Sequence, residues 1–157
     1  MNILVLCTGN SARSILLEKI LTERSDGRIT AYSAGSKPSG KVHPQSITLL
    51  QANGYDISGL SSQSWDDYAG PNAPQMDAVI TVCGSAAGET CPIWPGAPIR
   101  AHWGVDDPAA AAQPDWEPAF QLAYDRLFAR AQALFKLNLD AISSADLQQE
   151  LTRIGTL

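Results

Sequence analysis

Short apolar runs alternate along the chain with longer stretches in which apolar positions recur at helical spacing. Residues 2–6 and 77–83 are nearly continuous apolar runs with β-branched members, which is typical of strands buried on both faces of a sheet. Residues 28–35 predict another strand that lies between them in sequence, and residues 98–103 predict a weaker fourth. The pattern therefore predicts four strands.

Between and after these runs, the spacing predicts helices. One begins just after residue 14, a second covers residues 43–52 with Pro44 in its first turn, and a short one covers residues 65–68. Residues 117–139 form the longest amphipathic pattern, in which one face carries Phe120, Ala123, Tyr124, Leu127, Ala131, Leu134 and Phe135. Residues 143–154 predict a last short helix that lies on the surface.

Strands that alternate with helices indicate an α/β fold, in which helices cover both faces of a parallel sheet. We predict a single small doubly wound domain with a four-stranded parallel sheet over residues 1–140, and a C-terminal extension over residues 141–157. Right-handed crossovers place the carboxyl ends of all strands at one edge of such a sheet. Because Cys7 and Cys83 end the first and third strands, we expect both at this edge.

Composition narrows the range of partners. The chain has 157 residues and a formal net charge of −5, which argues against nucleic acid or an anionic membrane surface as its main partner. The apolar run at residues 3–6 is too short for a secretory signal, and no run approaches the about 20 residues that span a bilayer. We expect a cytoplasmic monomer whose three cysteines are reduced at rest and used for chemistry.

The chemistry begins where the first strand meets the first helix, in a loop that starts at Cys7 and ends at Arg13. Such a turn directs backbone N–H groups at one small volume that suits an oxyanion, and a guanidinium grips oxyanions with two donors. The same positive field should lower the pKa of Cys7 and make its thiolate a nucleophile, to which Ser14 donates its hydroxyl. The alternative is a buried structural cysteine followed by a solvated arginine.

The loop reads Cys-Thr-Gly-Asn-Ser-Ala-Arg-Ser over residues 7–14. In this, the chain resembles the low-molecular-weight protein tyrosine phosphatase superfamily, and more closely the arsenate reductases that are built on the same fold. The resemblance extends over about residues 2–139 and implies the fold of that superfamily. It also implies that the bound oxyanion contacts the residues that follow the nucleophile, which are Thr8, Gly9, Asn10, Ser11, Ala12 and Arg13.

An Asp-Pro pair, Asp107-Pro108, follows the predicted fourth strand and should therefore lie at the same edge. Considered without the cysteine loop, this Asp-Pro pair is equally typical of an ordinary acidic turn. In the superfamily that the chain resembles, the aspartate of such a pair is the general acid, which implies this role for Asp107. The tyrosine phosphatases usually place an aromatic residue after the proline, whereas here four alanines follow, which weakens the phosphatase interpretation.

Cys83 and Cys91 allow three interpretations. They could be small buried hydrophobes, or zinc ligands that would still lack a full set with His102, or a redox relay beside Cys7. A straight helix would hold their Cα atoms about 12 Å apart, whereas a disulfide needs them within about 7 Å. Oxidation would then rearrange the segment at Gly84, Gly88 and Pro92. The resembling reductases carry two such cysteines here, which favours the relay.

The resemblance also bears on a cofactor, the potassium ion. Some of these reductases bind potassium through Asn, Glu and Ser side chains near the loop, together with a later Thr and Asp. Asn10, Glu18 and Ser33 match, and Ser61 could replace the Thr. Gln63 stands where the Asp is expected, so one negative charge is missing. We expect either no cofactor or a potassium ion.

The resemblance thus implies reduction of arsenate to arsenite by three cysteines. Cys7 attacks arsenic while Asp107 protonates the departing oxygen, Cys83 then attacks Cys7, and Cys91 attacks Cys83. By resemblance thioredoxin reduces the final disulfide, although glutaredoxin or a small thiol stays open. Two alternatives are a phosphatase that uses Cys7, Arg13 and Asp107, and a binding module that senses an oxyanion without catalysis.

Overall fold

The computed structural model describes residues 1–83 and 98–157. Four parallel strands form one sheet, and they are β1 (Asn2–Cys7), β2 (Thr30–Gly35), β3 (Ala78–Thr81) and β4 (Ile99–His102). The α-helices in the described parts are α1 (Arg13–Arg24), α2 (Pro44–Ala52), α3 (Trp116–Phe135) and α4 (Ser144–Ile154), and the short helix predicted at residues 65–68 is a 3-10 helix, Trp65–Tyr68. This confirms the predicted α/β class and four-stranded parallel sheet. Cys91 and the glycines at positions 84 and 88 lie outside the described residues.

The strand order is β2-β1-β3-β4, so the chain first extends the sheet on one side of β1 and then crosses to the other side. Such a reversal leaves a crevice at the carboxyl ends of the two central strands, because the connections that follow them diverge to opposite sides. Cys7 is the last residue of β1, and Cys83 follows the end of β3 by two residues. The topology therefore brings both cysteines to the crevice.

β1 is buried on both faces, as its continuous apolar sequence predicts. Side chains alternate along a strand, so Ile3, Val5 and Cys7 belong to one core while Leu4 and Leu6 belong to the other. The larger core includes the apolar face of α1. The smaller core packs residues of three strands against Trp65, Met76 and two tyrosines. Burial on both faces holds the start of the loop at Cys7 in a rigid position.

α3 buries the face that the spacing predicts, with Phe120, Leu127 and Leu134 fully inaccessible to solvent. Its carboxyl end is capped from across the domain by Arg28, whose guanidinium donates to the carbonyls of Phe135 and Leu137. Such donors satisfy helix carbonyls that have no partner within the helix. No helix in residues 1–83 and 98–157 is both long enough and apolar enough to cross a membrane.

The C-terminal helix contributes more to the core than a helix resting on the surface would. In α4, Leu147, Leu151 and Ile154 are buried and belong to the larger core, while the opposite side of the helix is exposed. The indole N–H of Trp103 donates to the carbonyl of Leu151, which ties the helix to the residue after β4. The domain boundary at residue 140 stays a prediction, but α4 packs as part of the same core.

Candidate active site

The loop between β1 and α1 is oriented by its carbonyl groups, which point away from the crevice. The carbonyl of Thr8 accepts the N–H of Lys37 at 3.0 Å, and that of Gly9 accepts the N–H of Ser39 at 2.9 Å. The carbonyl of Ser11 accepts both the N–H of His43 and the hydroxyl of Ser46, each at 3.0 Å.

Because a peptide unit is planar and trans, its N–H points opposite to its carbonyl. The outward carbonyls at positions 8, 9 and 11 therefore turn the amides of Gly9, Asn10 and Ala12 toward the inner side of the loop. The N–H of Gly9 is directed at the Cys7 sulfur, where it favours the thiolate. Inward amides of this kind are what the sequence predicts for an oxyanion cradle.

Asn10 holds the sharpest bend of the loop. Its φ of 47° is in the left-handed region, which few residues other than glycine adopt, and it is fully buried. Its side chain stabilises the bend, because Nδ2 donates to Ser14 Oγ at 2.9 Å and Oδ1 accepts the N–H of Gln63 at 2.9 Å. The Ser14 hydroxyl accepts this bond and keeps its own hydrogen to donate. Its bond to the Cys7 sulfur stays a prediction.

Gly35, the last residue of β2, leaves space for the loop. A Cβ atom at this position would lie 2.4 Å from the carbonyl oxygen of Thr8 and 2.9 Å from that of Cys7. Both are backbone atoms that are themselves held in place, so neither can move aside cheaply. The glycine is therefore required by a close approach of two main chains.

Arg13 and Asp107 lie together at the mouth of the loop, as predicted, although they are distant in sequence. Arg13 Nη1 donates to the carbonyl of Val105 at 3.0 Å, and Arg13 Nη2 is 3.7 Å from Asp107 Oδ2. The Nε group of Arg13 is buried and has no hydrogen-bond partner among the described residues. A buried donor without a partner is costly, and a bound oxyanion would satisfy it. The side chain of Asp107 is 45% exposed to solvent.

Cys83 is brought beside the loop. Its sulfur accepts the backbone N–H of Thr8 at 3.3 Å and lies 3.4 Å from the Thr8 hydroxyl oxygen. The thiols of Cys83 and Cys7 are within hydrogen-bonding reach of each other, and both residues are buried. The structure therefore unites two of the three cysteines of the predicted relay, while Cys91 is outside the described residues.

The prediction that the loop lowers the pKa of Cys7 is wrong for this arrangement. The hydrogen bond with Cys83 and the burial of the sulfur raise the pKa of Cys7 above the ordinary thiol value. The charge of Arg13 and the N–H of Gly9 act in the opposite direction but do not overcome them. Sequence reasoning expected Cys83 at the same edge, but it weighed only the positive groups of the loop when it predicted the direction of the Cys7 pKa. Two adjacent thiols hold one proton between them more tightly than an isolated thiol does.

Two residues near the site were not predicted as functional. His43 caps α2 by accepting the N–H of Gln45 at its Nδ1, and its ring packs edge-on against Trp116 at 4.5 Å between centroids. The Trp116 indole donates to the carbonyl of Ala111, and so anchors the alanine segment that follows Asp107. Burial lowers the pKa of His43, although the nearby Asp107 opposes this. The only sequence signal was the position of His43 before Pro44 at a helix start.

The residues that were considered for potassium form a hydrogen-bonded cluster behind the loop. Gln63 Nε2 donates to Asn10 Oδ1 and to the carbonyl of Ser33, and Ser61 donates to Gln63 Oε1. The hydroxyl of Ser33 donates to Glu18 at 3.1 Å, and burial raises the pKa of Glu18 to about 7. Within residues 1–83 and 98–157, no group of three or more His, Cys, Asp or Glu is arranged to hold a metal ion.

Comparison with known proteins agrees with this geometry. The sequence model of the family described as low molecular weight phosphotyrosine protein phosphatase matches residues 2–150. An arsenate reductase from Halalkalibacterium halodurans is 40% identical over 116 residues, which are 71% of this chain and 77% of that protein. The resemblance thus extends beyond the loop and into α4.

Solved structures give the same result. An arsenate reductase in the phosphate binding state has a TM-score of 0.65 and 27% identity, over 85% of this chain and 95% of that one. A thioredoxin-dependent arsenate reductase from Corynebacterium glutamicum has a TM-score of 0.63 and covers 86% of this chain and 60% of that one. At 22% identity the second likeness concerns the fold alone.

Proposed function

This chain belongs to the family of low molecular weight phosphotyrosine protein phosphatases, and from that premise we propose that it is an arsenate reductase. In this proposal it reduces arsenate to arsenite with electrons from its own thiols. The observation that carries the proposal is the pair formed by Cys7 and Cys83, which face each other beside the oxyanion loop. Hydrolysis of a phosphate ester needs Cys7 but gains nothing from a second thiol in contact with it.

The first step is a displacement at arsenic. Arsenate binds to the inward amides and to Arg13, whose Nε lacks a partner. A dianionic arsenate takes the proton of Cys7, which leaves the thiolate beside the arsenic atom. A sulfur–arsenic bond forms, one arsenic–oxygen bond breaks, and the departing hydroxide leaves as water with a proton from Asp107. Arsenic stays As(V) in this step.

The second step transfers the electrons. The Cys83 thiolate attacks the Cys7 sulfur, so that a disulfide forms and the sulfur–arsenic bond breaks with its electron pair on arsenic. Arsenic becomes As(III), takes up protons and leaves as arsenite, while two thiols have become one disulfide. The backbone N–H and hydroxyl of Thr8 stabilise negative charge on Cys83 before the attack, because hydrogen bonds to a thiolate favour it.

The third step restores Cys7. The Cys91 thiolate attacks Cys83, a Cys83–Cys91 disulfide forms, and Cys7 leaves as a thiolate. An external dithiol then reduces the new disulfide, and thioredoxin is the partner that we propose. We also propose that the protein acts as a cytoplasmic monomer, without a nucleic acid or membrane partner.

A coupled assay tests the proposal. Purified protein is mixed with thioredoxin, thioredoxin reductase and NADPH, and the loss of NADPH is followed after arsenate is added. The wild-type protein should consume one NADPH for each arsenate. Cys83→Ser should consume none above background and should still hydrolyse p-nitrophenyl phosphate, since that reaction needs only Cys7, Arg13 and Asp107.

Cys91→Ser is the matched variant, because it removes a thiol later in the sequence of steps. It should release one arsenite per molecule and then remain as a Cys7–Cys83 disulfide, which mass spectrometry of the arsenate-treated protein detects. Sustained NADPH consumption by Cys83→Ser would exclude the relay and favour the phosphatase alternative.

A further inference from the structure

The cluster behind the oxyanion loop is organised around the Gln63 side chain. Its backbone N–H and its Nε2 both donate to Asn10 Oδ1, at 2.9 and 3.3 Å. The same Nε2 donates to the carbonyl of Ser33, and Ser61 donates its hydroxyl to Oε1. A glutamine amide has two N–H donors, and here both are directed at buried or partly buried oxygen atoms.

These residues do not fit a potassium ion. Potassium is held by oxygen lone pairs that point at the ion. Asn10 Oδ1 already accepts two N–H groups, the Ser33 carbonyl accepts a third, and the Ser33 hydroxyl is directed at Glu18. The amide nitrogen of Gln63 lies among these oxygens, where a cation would have to be. An N–H donor and a cation cannot face the same lone pair.

We propose that the Gln63 side-chain amide takes the place of a monovalent cation behind the loop. Its two N–H groups join Asn10 to Ser33, and so link the oxyanion loop to β2 without an ion. Potassium is then not needed for the stability of the loop or for oxyanion binding. The proposal rests on the hydrogen bonds of the loop and not on the identity of the oxyanion that is reduced.

The link reaches the reactive atoms through Asn10. This residue has a φ of 47°, and its Nδ2 donates to Ser14 Oγ at 2.9 Å. Gln63 therefore fixes the carboxamide that holds both the bend of the loop and the hydroxyl of Ser14. It is a positioning residue, because it acts on the oxyanion only through Asn10.

The first test uses the wild-type protein in three salts of equal ionic strength, which are potassium, sodium and choline chloride. The proposal expects the same Tm in all three, within about 1 °C, and the same Kd for inorganic phosphate. A Tm or a phosphate affinity that rises in potassium chloride alone would overturn it. This measurement needs no variant and no arsenate, so its outcome is independent of the proposed reductase activity.

The second test is Gln63→Asp, which replaces both donors with oxygen acceptors. Without potassium the Tm should fall by about 5 °C and phosphate should bind about tenfold more weakly, because buried acceptors lose their partners. Potassium chloride should restore much of both losses, while sodium chloride should restore less. A purely structural loss would not respond to potassium, so a Gln63→Asp protein that ignores the ion, or that equals the wild type throughout, contradicts the proposal.

Gln75→Asp provides the charge control. Gln75 is exposed in the loop before β3, so the substitution adds the same charge away from the cluster. It should leave the Tm and the phosphate affinity equal in the three salts. A potassium response in Gln75→Asp would mean that a general charge effect, and not the cluster, explains the response of Gln63→Asp.

Discussion

The two sides of the oxyanion loop differ in how fully their polar groups are paired. On the reactive side, which comprises Cys7, Arg13, Cys83 and Asp107, the Arg13 Nε has no partner among the described residues and the carboxylate is half exposed. On the supporting side, formed by Asn10, Ser33, Gly35 and Gln63, hydrogen bonds join the side chains to one another and to the main chain.

The difference assigns separate tasks to the two sides. Groups that must bind a ligand or change protonation cannot have all their donors satisfied in advance, and this costs stability. The supporting side offsets that cost by holding the backbone in one conformation, including the unfavourable φ of Asn10. Substitutions on the reactive side should therefore remove chemistry and spare the fold, while those on the supporting side should affect both.

The largest effect is expected on the reactive side, from Cys7→Ser. A serine hydroxyl is a far poorer nucleophile than a thiolate, so arsenate reduction and phosphate ester hydrolysis should both fall by at least about 10⁴-fold. Inorganic phosphate should still raise the Tm of the variant, since the amides and Arg13 remain. Turnover above one hundredth of the wild-type rate would show that Cys7 is not the nucleophile.

On the supporting side, Gly35→Ala should reduce both stability and activity. The new Cβ would meet two backbone carbonyls at 2.4 and 2.9 Å, so the loop or β2 has to shift. We expect a loss of about 1–3 kcal/mol in the free energy of unfolding, measured in urea, and weaker phosphate binding. Gly70→Ala is the control, because a Cβ there meets no atom within 4 Å. Equal effects at both positions would contradict the steric argument.

Thr8→Val tests the contact between the loop and the Cys83 thiol. It keeps the backbone N–H to Cys83 but removes the hydroxyl 3.4 Å from the sulfur. Single-turnover release of arsenite should slow by about tenfold, which corresponds to the loss of one hydrogen bond to a charged group, while p-nitrophenyl phosphate hydrolysis is unchanged. Thr30→Val, at an exposed position of β2, should match the wild type in both assays. A parallel loss of both activities would place the Thr8 hydroxyl in the first step instead.

The smallest effect concerns pH and Glu18. Burial raises its pKa from 4.5 to about 7, so between these values the folded protein binds a proton that the unfolded chain has released. Stability from this group is full below about pH 4.5 and is lost as the pH rises through about 7. The Glu18→Gln side chain stays neutral at every pH. Between pH 5 and 7.5 the Tm of this variant should therefore fall less than the Tm of the wild type, by a difference of about 3 °C. Glu150→Gln should keep the wild-type slope, and an unchanged slope in Glu18→Gln would contradict the assignment.

Much of this molecule was readable from local sequence. The apolar runs predicted the four strands, and the spacing of apolar residues predicted which face of α3 is buried. Both predictions work because buried positions carry apolar residues and recur with the period of the strand or helix. The oxyanion loop was readable for a similar reason. Residues 7–14 form one strand–loop–helix unit, so the place of the loop between β1 and α1 depends mainly on neighbours in the chain. Its outward carbonyls and the Arg13 side chain are held by distant residues, which are residues 37–46 for the carbonyls and Val105 and Asp107 for Arg13.

Contacts between distant segments were decided by the tertiary structure. Cys83 lies against Thr8, 75 positions away, because the strand order puts β3 beside β1. This position also gives Cys83 a hydrogen bond with Cys7, which together with burial reverses the expected direction of the Cys7 pKa. In the sequence, Gln63 stood where an aspartate ligand of a cation was expected. The fold instead directs the two N–H donors of its side chain at Asn10 and Ser33. A pKa or an ion site depends on every charge and donor within a few ångströms, and only the fold determines which residues those are.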